Sequence, residues 1–445
     1  MAIAHDPYAA LRYRDFRLYT FGRIAGVIGW QMLQVALGWE LYERTNSALA
    51  LGLVGLATAL PVIILALPAG DLADRMNRKR ILVWSQIGFI VDSIALAALS
   101  YWQGPVALVY VVILARGAIQ AFNNPARQAM LPQLVPADVF GNAVTWASSG
   151  FQVAAVVGPG IGGIVIAIEG GATGAYVIST LLTAVYLWAL LEIRGGTVPA
   201  AADSEEGAAF AARSREKMTL ASLAAGMRYV RDTKEILAAI TLDLFAVLLG
   251  GATALLPIFA KDILHVGPEG LGWLRAAPSV GALIVAVSIA HRPPMRHVGP
   301  TLLFAVAGFG AATIVFGLSR SFLLSMVMLF LLGGLDGISM IIRSTLVQLR
   351  TPDEMRGRVS AVNSVFIDMS NELGGFESGA LAALVGPVTA VVAGGVGTIV
   401  VVSAVALAWP ELRRLETLQP VDPAGSGRLR GSDHEAHEER EELRL

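Results

Sequence analysis

Apolar runs of membrane length, broken by short polar stretches, make up most of the chain. A helix that crosses a bilayer needs about 20 mostly apolar residues. Twelve runs meet that need: Phe16–Leu41, Ala48–Pro68, Ile81–Ser100, Val106–Ala126, Ala143–Ile168, Ala172–Ile193, Leu237–Ala260, Leu271–Ala290, Thr301–Leu318, Phe322–Ile342, Val359–Val385 and Val388–Trp409. The fifth and eleventh are long enough to tilt. Between the sixth and seventh lies a polar linker, Gly195–Lys217, rich in Ala, Gly, Ser and Glu. Next, Leu220, Leu223, Met227 and Val230 recur at three-to-four spacing, which predicts a surface helix over Thr219–Leu237. Its Arg228, Arg231 and Lys234 would face water or lipid headgroups.

The pattern predicts an all-α integral membrane protein of about twelve transmembrane helices in two pseudo-twofold six-helix bundles. Residues 1–194 form the first bundle, 195–236 a cytoplasmic linker with an amphipathic helix, 237–409 the second bundle, and 410–445 a disordered cytoplasmic tail. The halves also share a signature. Arg127 is followed by Pro136 and Gly141, and Arg343 by Pro352 and Gly357 at the same spacings; Gly117 maps to Gly333. The offset is 343 − 127 = 216 throughout. A repeat of this kind is how many secondary transporters are built, with the substrate site near midplane between the halves.

Loop charge predicts the orientation. Arg75, Arg78, Lys79 and Arg80 lie between the second and third runs, Arg292 and Arg296 between the eighth and ninth, and Arg350, Arg356 and Arg358 between the tenth and eleventh. The opposite loops carry almost no positive charge; Ser319–Ser321 has only Arg320. Basic loops stay in the cytoplasm. With an even number of spans, both termini are expected there, in a bacterial inner membrane. Met1–Phe16 holds Asp6, Arg12, Arg14 and Asp15 without a short apolar core, so it does not read as a removable signal peptide.

Composition narrows the function. Of the 445 residues, 55% are hydrophobic and 15% charged, against about 25% charged in soluble domains. Cysteine is absent, which excludes thiol catalysis and thiolate metal sites. A net charge of −1 leaves no footprint for nucleic acid. No Gly-x-x-x-x-Gly-Lys-Ser/Thr phosphate loop, His-Glu-x-x-His zinc site or Gly-x-Ser-x-Gly nucleophile turn occurs, so neither ATP-driven pumping nor an enzyme is expected. No cofactor and no metal is expected; His434 and His437 in the tail resemble only half a metal site.

Charges inside the bilayer are costly and mark function by default. They are Arg23, Asp92, Arg116, Asp243, Arg275, Asp336, Asp368 and Glu372. Two readings stand side by side: these residues pair to hold helices in register, or an acid among them carries protons. Asp368 and Glu372 share a helix face by their spacing. In the fifth span, Gly158, Gly162 and Gly163 would let helices approach closely, and Pro159 would bend the span.

Gly70–Arg80, reading Gly-Asp-Leu-Ala-Asp-Arg-Met-Asn-Arg-Lys-Arg, resembles the loop motif of the major facilitator superfamily, with Asn77 where glycine is usual. Asparagine tolerates a left-handed backbone, so the turn is expected to survive. Gly158–Gly163 resembles the antiporter motif of that superfamily's exporters, and Arg116 with Gln120 is loosely similar to the arginine motif of its proton-coupled members. Arg343–Val359 resembles the subgroup that includes the enterobactin exporter and macrolide-efflux proteins.

The resemblance implies a proton-coupled exporter of a small amphipathic molecule, a drug or siderophore, working as a monomer by alternating access. An importer or uniporter of the same fold, or a non-transporting sensor, are the alternatives. The first, fourth, seventh and tenth spans would line the cavity, placing Arg23, Arg116, Asp243 and Asp336 near it. Asp71 would face Arg356, Gly357 and Arg358 at the start of the eleventh span. With Gly70, Asp74, Arg75 and Arg78 it would form a cytoplasmic gate. At the offset of 216 the acids Asp71 and Asp74 map to Val287 and Ala290, so the gate is expected to be one-sided.

Overall fold

The computed structural model describes residues 6–194, 220–291 and 297–416. Among the described residues, twelve long helices appear where the twelve runs predict them. In the first half these are α1 (Arg14–Thr45), α2 (Ala48–Arg75), α3 (Arg78–Tyr101), α4 (Val106–Met130), α5 (Phe140–Glu169) and α6 (Thr173–Glu192). The amphipathic segment is α7 (Leu220–Asp232). The second half contains α8 (Lys234–Leu249), α9 (Gly267–Ala290), α10 (Val298–Leu318), α11 (Phe322–Arg350), α12 (Asp353–Val385) and α13 (Pro387–Ala408). Among the described residues, ten segments are long and apolar enough to cross a membrane by length and composition alone. The two long helices outside that set are α1 and α12, which carry the most polar residues and pack where the halves meet.

Three elements differ from the sequence expectation. The seventh span is broken: α8 stops at Gly250-Gly251, and a 3-10 turn (Ala252–Leu255) and a π turn (Phe259–Ile263) finish the crossing. A side chain at Gly251 would strike the Gly374 carbonyl of α12. Paired glycines also weaken helix propensity there. Secondly, Asn77 is not left-handed; it is extended, with φ −62°. Its Oδ1 instead accepts from the N–H groups of Lys79, at 2.9 Å, and Arg80, at 3.4 Å. A side-chain acceptor at an N-cap satisfies orphan donors that glycine cannot. Thirdly, the tail does not leave the bundle at 410. Pro410–Arg413 forms one short turn that buries Leu412 and Leu415 against Val298 and Leu302. Residues 195–219, 292–296 and 417–445, which hold the linker, Arg292, Arg296, His434 and His437, lie outside the described residues.

Both halves use the same packing plan. Gly117 of α4 lies against α2, where a Cβ would come within 2.6 Å of the Thr58 carbonyl oxygen. Its repeat mate Gly333 of α11 lies against α9, over the Pro278 carbonyl. Helix α7 packs on the second half: Val230 joins Ile236, Ile240, Val347, Val359 and Val362. The Tyr229 hydroxyl donates to the Arg350 carbonyl at 2.6 Å.

The two ends of the bundle differ. At the end opposite the basic loops, one apolar cluster runs through both halves, joining Leu33, Leu37 and Leu41 of α1 to Leu255, Phe259, Leu271 and Leu274. At the basic end the clusters are separate. Phe16, Tyr19, Leu82 and Leu190 belong to the first half, and Leu242, Leu302 and Leu346 to the second. The halves are fused at one end and parted at the other.

Candidate functional site

The membrane-depth charges do not gather into one cluster. They fall into three groups, each set by the helices that carry it.

In the first half, Asp92 of α3 and Arg116 of α4 form a buried ion pair at 2.6 Å. The guanidinium also lies over the Phe89 ring, 5.1 Å from its centroid. Two desolvated charges at this distance hold α3 to α4, and removing one strands the other. Arg23 is different. It sits nine residues into α1, about 14 Å along it at 1.5 Å per residue, and has no ion partner among the described residues. It lines a cleft with Tyr19, Thr20, Ile24, Val27, Ala147 and Phe151, between α1 and α5.

In the second half, Asp243 of α8 is buried in an ion pair with Arg343 of α11. Sequence reasoning used Arg343 as a repeat marker and missed it as a counter-ion. The signal was available: Arg343 falls at the end of the tenth run, on the helix that carries Asp336. Asp336 itself has no ion partner among the described residues. It shares a cleft with Asp243, Val247, Val306, Phe309, Leu335 and Ser339. The resemblance placed Arg23, Arg116, Asp243 and Asp336 near a cavity; Arg116 and Asp243 each also form an ion pair, and Asp243 lines the cleft of Asp336.

The third group sits where the halves meet, at the end away from the basic loops. Arg275 of α9 donates to the Gln34 carbonyl of α1 at 3.2 Å, with Glu372 of α12 in electrostatic reach. The Glu372 carbonyl touches α2 at Gly55. Nearby, the Tyr42 hydroxyl donates to Asp262, and Lys261 stands 5.6 Å from the centre of the Tyr42 ring. Sequence reasoning missed this contact, because Tyr42 and Asp262 are unremarkable at helix ends and only the fold makes them neighbours.

The glycine motif of α5 lies in the same region and serves two partners. A Cβ at Gly158 would come within 2.6 Å of Gln31 Cβ, and one at Gly162 within 3.0 Å of Met32 Cα, both on α1. A Cβ at Gly163 would lie 2.5 Å from the Pro268 carbonyl at the start of α9. A Cβ at Gly272 would come equally close to the Pro159 carbonyl. The helix thus binds its own half with one face and the other half with the next, at backbone contact.

At the basic end, Gly70 is buried, and the side chains of Asp71, Asp74, Arg75 and Asp368 lie outside the described residues. Arg78 Nη1 donates to the Ala129 carbonyl at 3.5 Å. Arg356 and Gly357 are exposed, and Arg358 is half-buried beside α7, with its Nη1 on Met355 Sδ at 3.5 Å. Among the described residues, no group of three or more His, Asp or Glu side chains could hold a metal ion.

Comparison with known proteins agrees with this architecture. The profile of the transmembrane secretion effector family matches residues 5–426. The enterobactin exporter EntS of Escherichia coli O157:H7 (strain EC4115) is 26% identical over 416 residues, covering 93% of this chain and 96% of its own. The multidrug efflux pump Tap of Mycolicibacterium fortuitum is 27% identical over 379 residues, covering 82% and 88%. Among solved structures, the peptide transporter POT in complex with sulfate superposes with a TM-score of 0.67 at 13% identity, covering 93% of this chain and all of its own. A POT family transporter in complex with 5-aminolevulinic acid gives 0.65 at 14%. At such identities the structural likeness carries the fold alone.

Proposed function

The chain belongs to the transmembrane secretion effector family of the major facilitator superfamily, and from that premise we propose that it exports a small amphipathic molecule in exchange for protons. It is a multi-pass membrane transporter and not an enzyme. The relatives named above are a siderophore exporter and a drug efflux pump, which favours outward movement of a compound of that kind over import. Loop charge favours the basic end as the cytoplasmic one. The parted ends then face the cytoplasm, and the fused cluster closes the far side. That is the arrangement of a carrier loading from within by alternating access.

The single observation that carries the coupling is Asp336. The buried aspartates Asp92 and Asp243 each have an arginine, whereas Asp336 lies in a mostly apolar cleft without an ion partner among the described residues. A carboxylate so placed is costly when charged, and a proton removes the charge. If its surroundings change as the halves rock, it takes up a proton on one side and releases it on the other.

The test is transport in proteoliposomes with an imposed pH gradient, using drug and siderophore probes. Efflux should follow the gradient and collapse with an uncoupler. Asp336→Asn should abolish the gradient dependence while the protein still folds. Accumulation unaffected by the protein for every probe sinks the export reading, and gradient-driven transport in Asp336→Asn sinks the coupling role.

A further inference from the structure

The cleft between α1 and α5 differs from its counterpart in the second half. It is narrow and partly open, and its polar lining comes from one turn of α1: Tyr19, Thr20 and Arg23. Two polar atoms of that turn, Thr20 Oγ1 and Arg23 Nε, are buried without a hydrogen-bond partner. No ion pair or hydrogen bond among the described residues engages the Arg23 guanidinium. The Tyr19 hydroxyl is occupied, donating to the Arg127 carbonyl at 3.4 Å, which brings Arg127 into electrostatic reach of the same turn. Buried polar atoms in native proteins are almost always satisfied. Thr20 Oγ1 and Arg23 Nε therefore offer hydrogen-bonding capacity to whatever enters this cleft.

The chemistry of the lining selects the ligand. Guanidinium presents planar, parallel N–H donors that match an oxyanion in bidentate fashion, and the threonine hydroxyl adds a donor on the same turn. The remaining walls, Ile24, Val27, Ala147 and Phe151, are apolar. We propose that this cleft is the subsite for the anionic group of the transported molecule, so that the substrate is an organic anion with an apolar, preferably aromatic, body. This rests on the export reading above and names the substrate class for it. The position is consistent with loading from the basic end: α1 and α5 belong to the half that has parted there, and Arg23 lies nine residues into α1 from that end. The electropositive turn draws the anion in, and the apolar wall holds its body.

The oxyanion could also belong to an anionic lipid headgroup, and the experiment separates the two sources. The purified full-length protein is placed in nanodiscs of phosphatidylcholine alone or with phosphatidylglycerol, and binding of salicylate is compared with that of its neutral amide, salicylamide. In phosphatidylcholine the acid should bind more tightly than the amide. Arg23→Gln should erase the difference, weakening salicylate by roughly 10- to 100-fold, the value of one charge-assisted contact. Arg23→Lys should restore part of the affinity, and Thr20→Val should cost less than Arg23→Gln. Equal binding of acid and amide, or an unchanged Arg23→Gln, overturns the proposal. Arg23-dependent retention of phosphatidylglycerol that salicylate does not displace overturns it in favour of a lipid site. A parallel efflux assay with the cationic dye ethidium keeps the two readings apart. If Arg23→Gln still expels ethidium along the proton gradient, export stands whatever becomes of the anion site.

Discussion

Gly117 and Gly333 sit 216 residues apart and play one part in two places. Each brings an even-numbered helix of its half, α4 or α11, into backbone contact with the helix two spans before it, at Thr58 in one case and Pro278 in the other. Arg127 and Arg343 are repeat mates too, and both reach toward the first helix of their half. Arg127 does so through its carbonyl and the Tyr19 hydroxyl, and Arg343 through its charge and Asp243. Here the likeness ends. The first half carries an open arginine in its cleft, and the second an open aspartate. Duplication has preserved the steric plan, which depends on backbone shape, and let the electrostatics diverge, because a single side chain sets the sign of a cleft. A carrier needs both properties: two halves that rock as equivalents, and one surface for cargo with another for the driving ion.

The largest effects should come from the shared plan. Leucine at either glycine drives a side chain into a neighbouring carbonyl that is part of a helix and cannot retreat. Gly117→Leu and Gly333→Leu should each lose about 3 kcal/mol or more, at the upper end of overpacking costs, and fail to yield folded protein in detergent by thermal unfolding. Equal losses support equivalent halves; a tolerant Gly333→Leu would break the equivalence.

Next come the ion pairs. Asp92→Asn leaves Arg116 buried without a counter-charge, and Asp243→Asn does the same to Arg343. Each should cost about 3–5 kcal/mol, much of it regained when the arginine is also replaced by methionine. Stability measured across that cycle gives the coupling within each pair and separates it from the cost of the stranded arginine. Asp336→Asn belongs to neither pair and should leave stability within about 1 kcal/mol, since it trades a costly buried charge for a neutral amide. If it unfolds the protein, Asp336 has a structural partner and the contrast between the clefts is lost.

The spans were legible because each run is long, apolar and bounded by charge. The exceptions are physical. The break at Gly250-Gly251 hides inside an apolar run, and only the approach of Gly374 shows why the chain must be bare there. The docked Leu412 and Leu415 looked like part of a polar tail, since two leucines among charges form no run. Charges at membrane depth were likewise legible as candidates, but their pairing was not. Spacing along one helix says nothing of a partner on another, so Arg343 and the Tyr42–Asp262 contact emerged only with the fold. The glycines of α5 were read as packing residues, and their division between α1 and α9 could not have been read from one strand of sequence.

The smallest effects should appear at the two ends of the molecule, as opposite shifts in one equilibrium. At the fused end, Tyr42→Phe removes a hydroxyl that binds Asp262 across the halves, and the ring beside Lys261 remains. A hydrogen bond to a charged acceptor contributes about 1.5–3 kcal/mol, less where water reaches it. The variant should therefore favour the state open on that side by several-fold, read from spin-label distances between helix ends. At the basic end, we propose that Asp71 forms its contact with the start of α12 and its arginines only when that end closes. A carboxylate there meets a helix N-terminus as well as Arg356 and Arg358. Asp71→Asn should weaken the closed state by about 1 kcal/mol, roughly fivefold in population. The halves should then part more often at the basic end, and turnover should slow. The second half supplies the control, because Val287 and Ala290 stand where the acids would be. Val287→Asn, at the repeat-equivalent position, has no latch to remove and should leave the distances as they are. Matching shifts in both variants would mean that the loop tunes helix ends generally and that the latch does not belong to the first half.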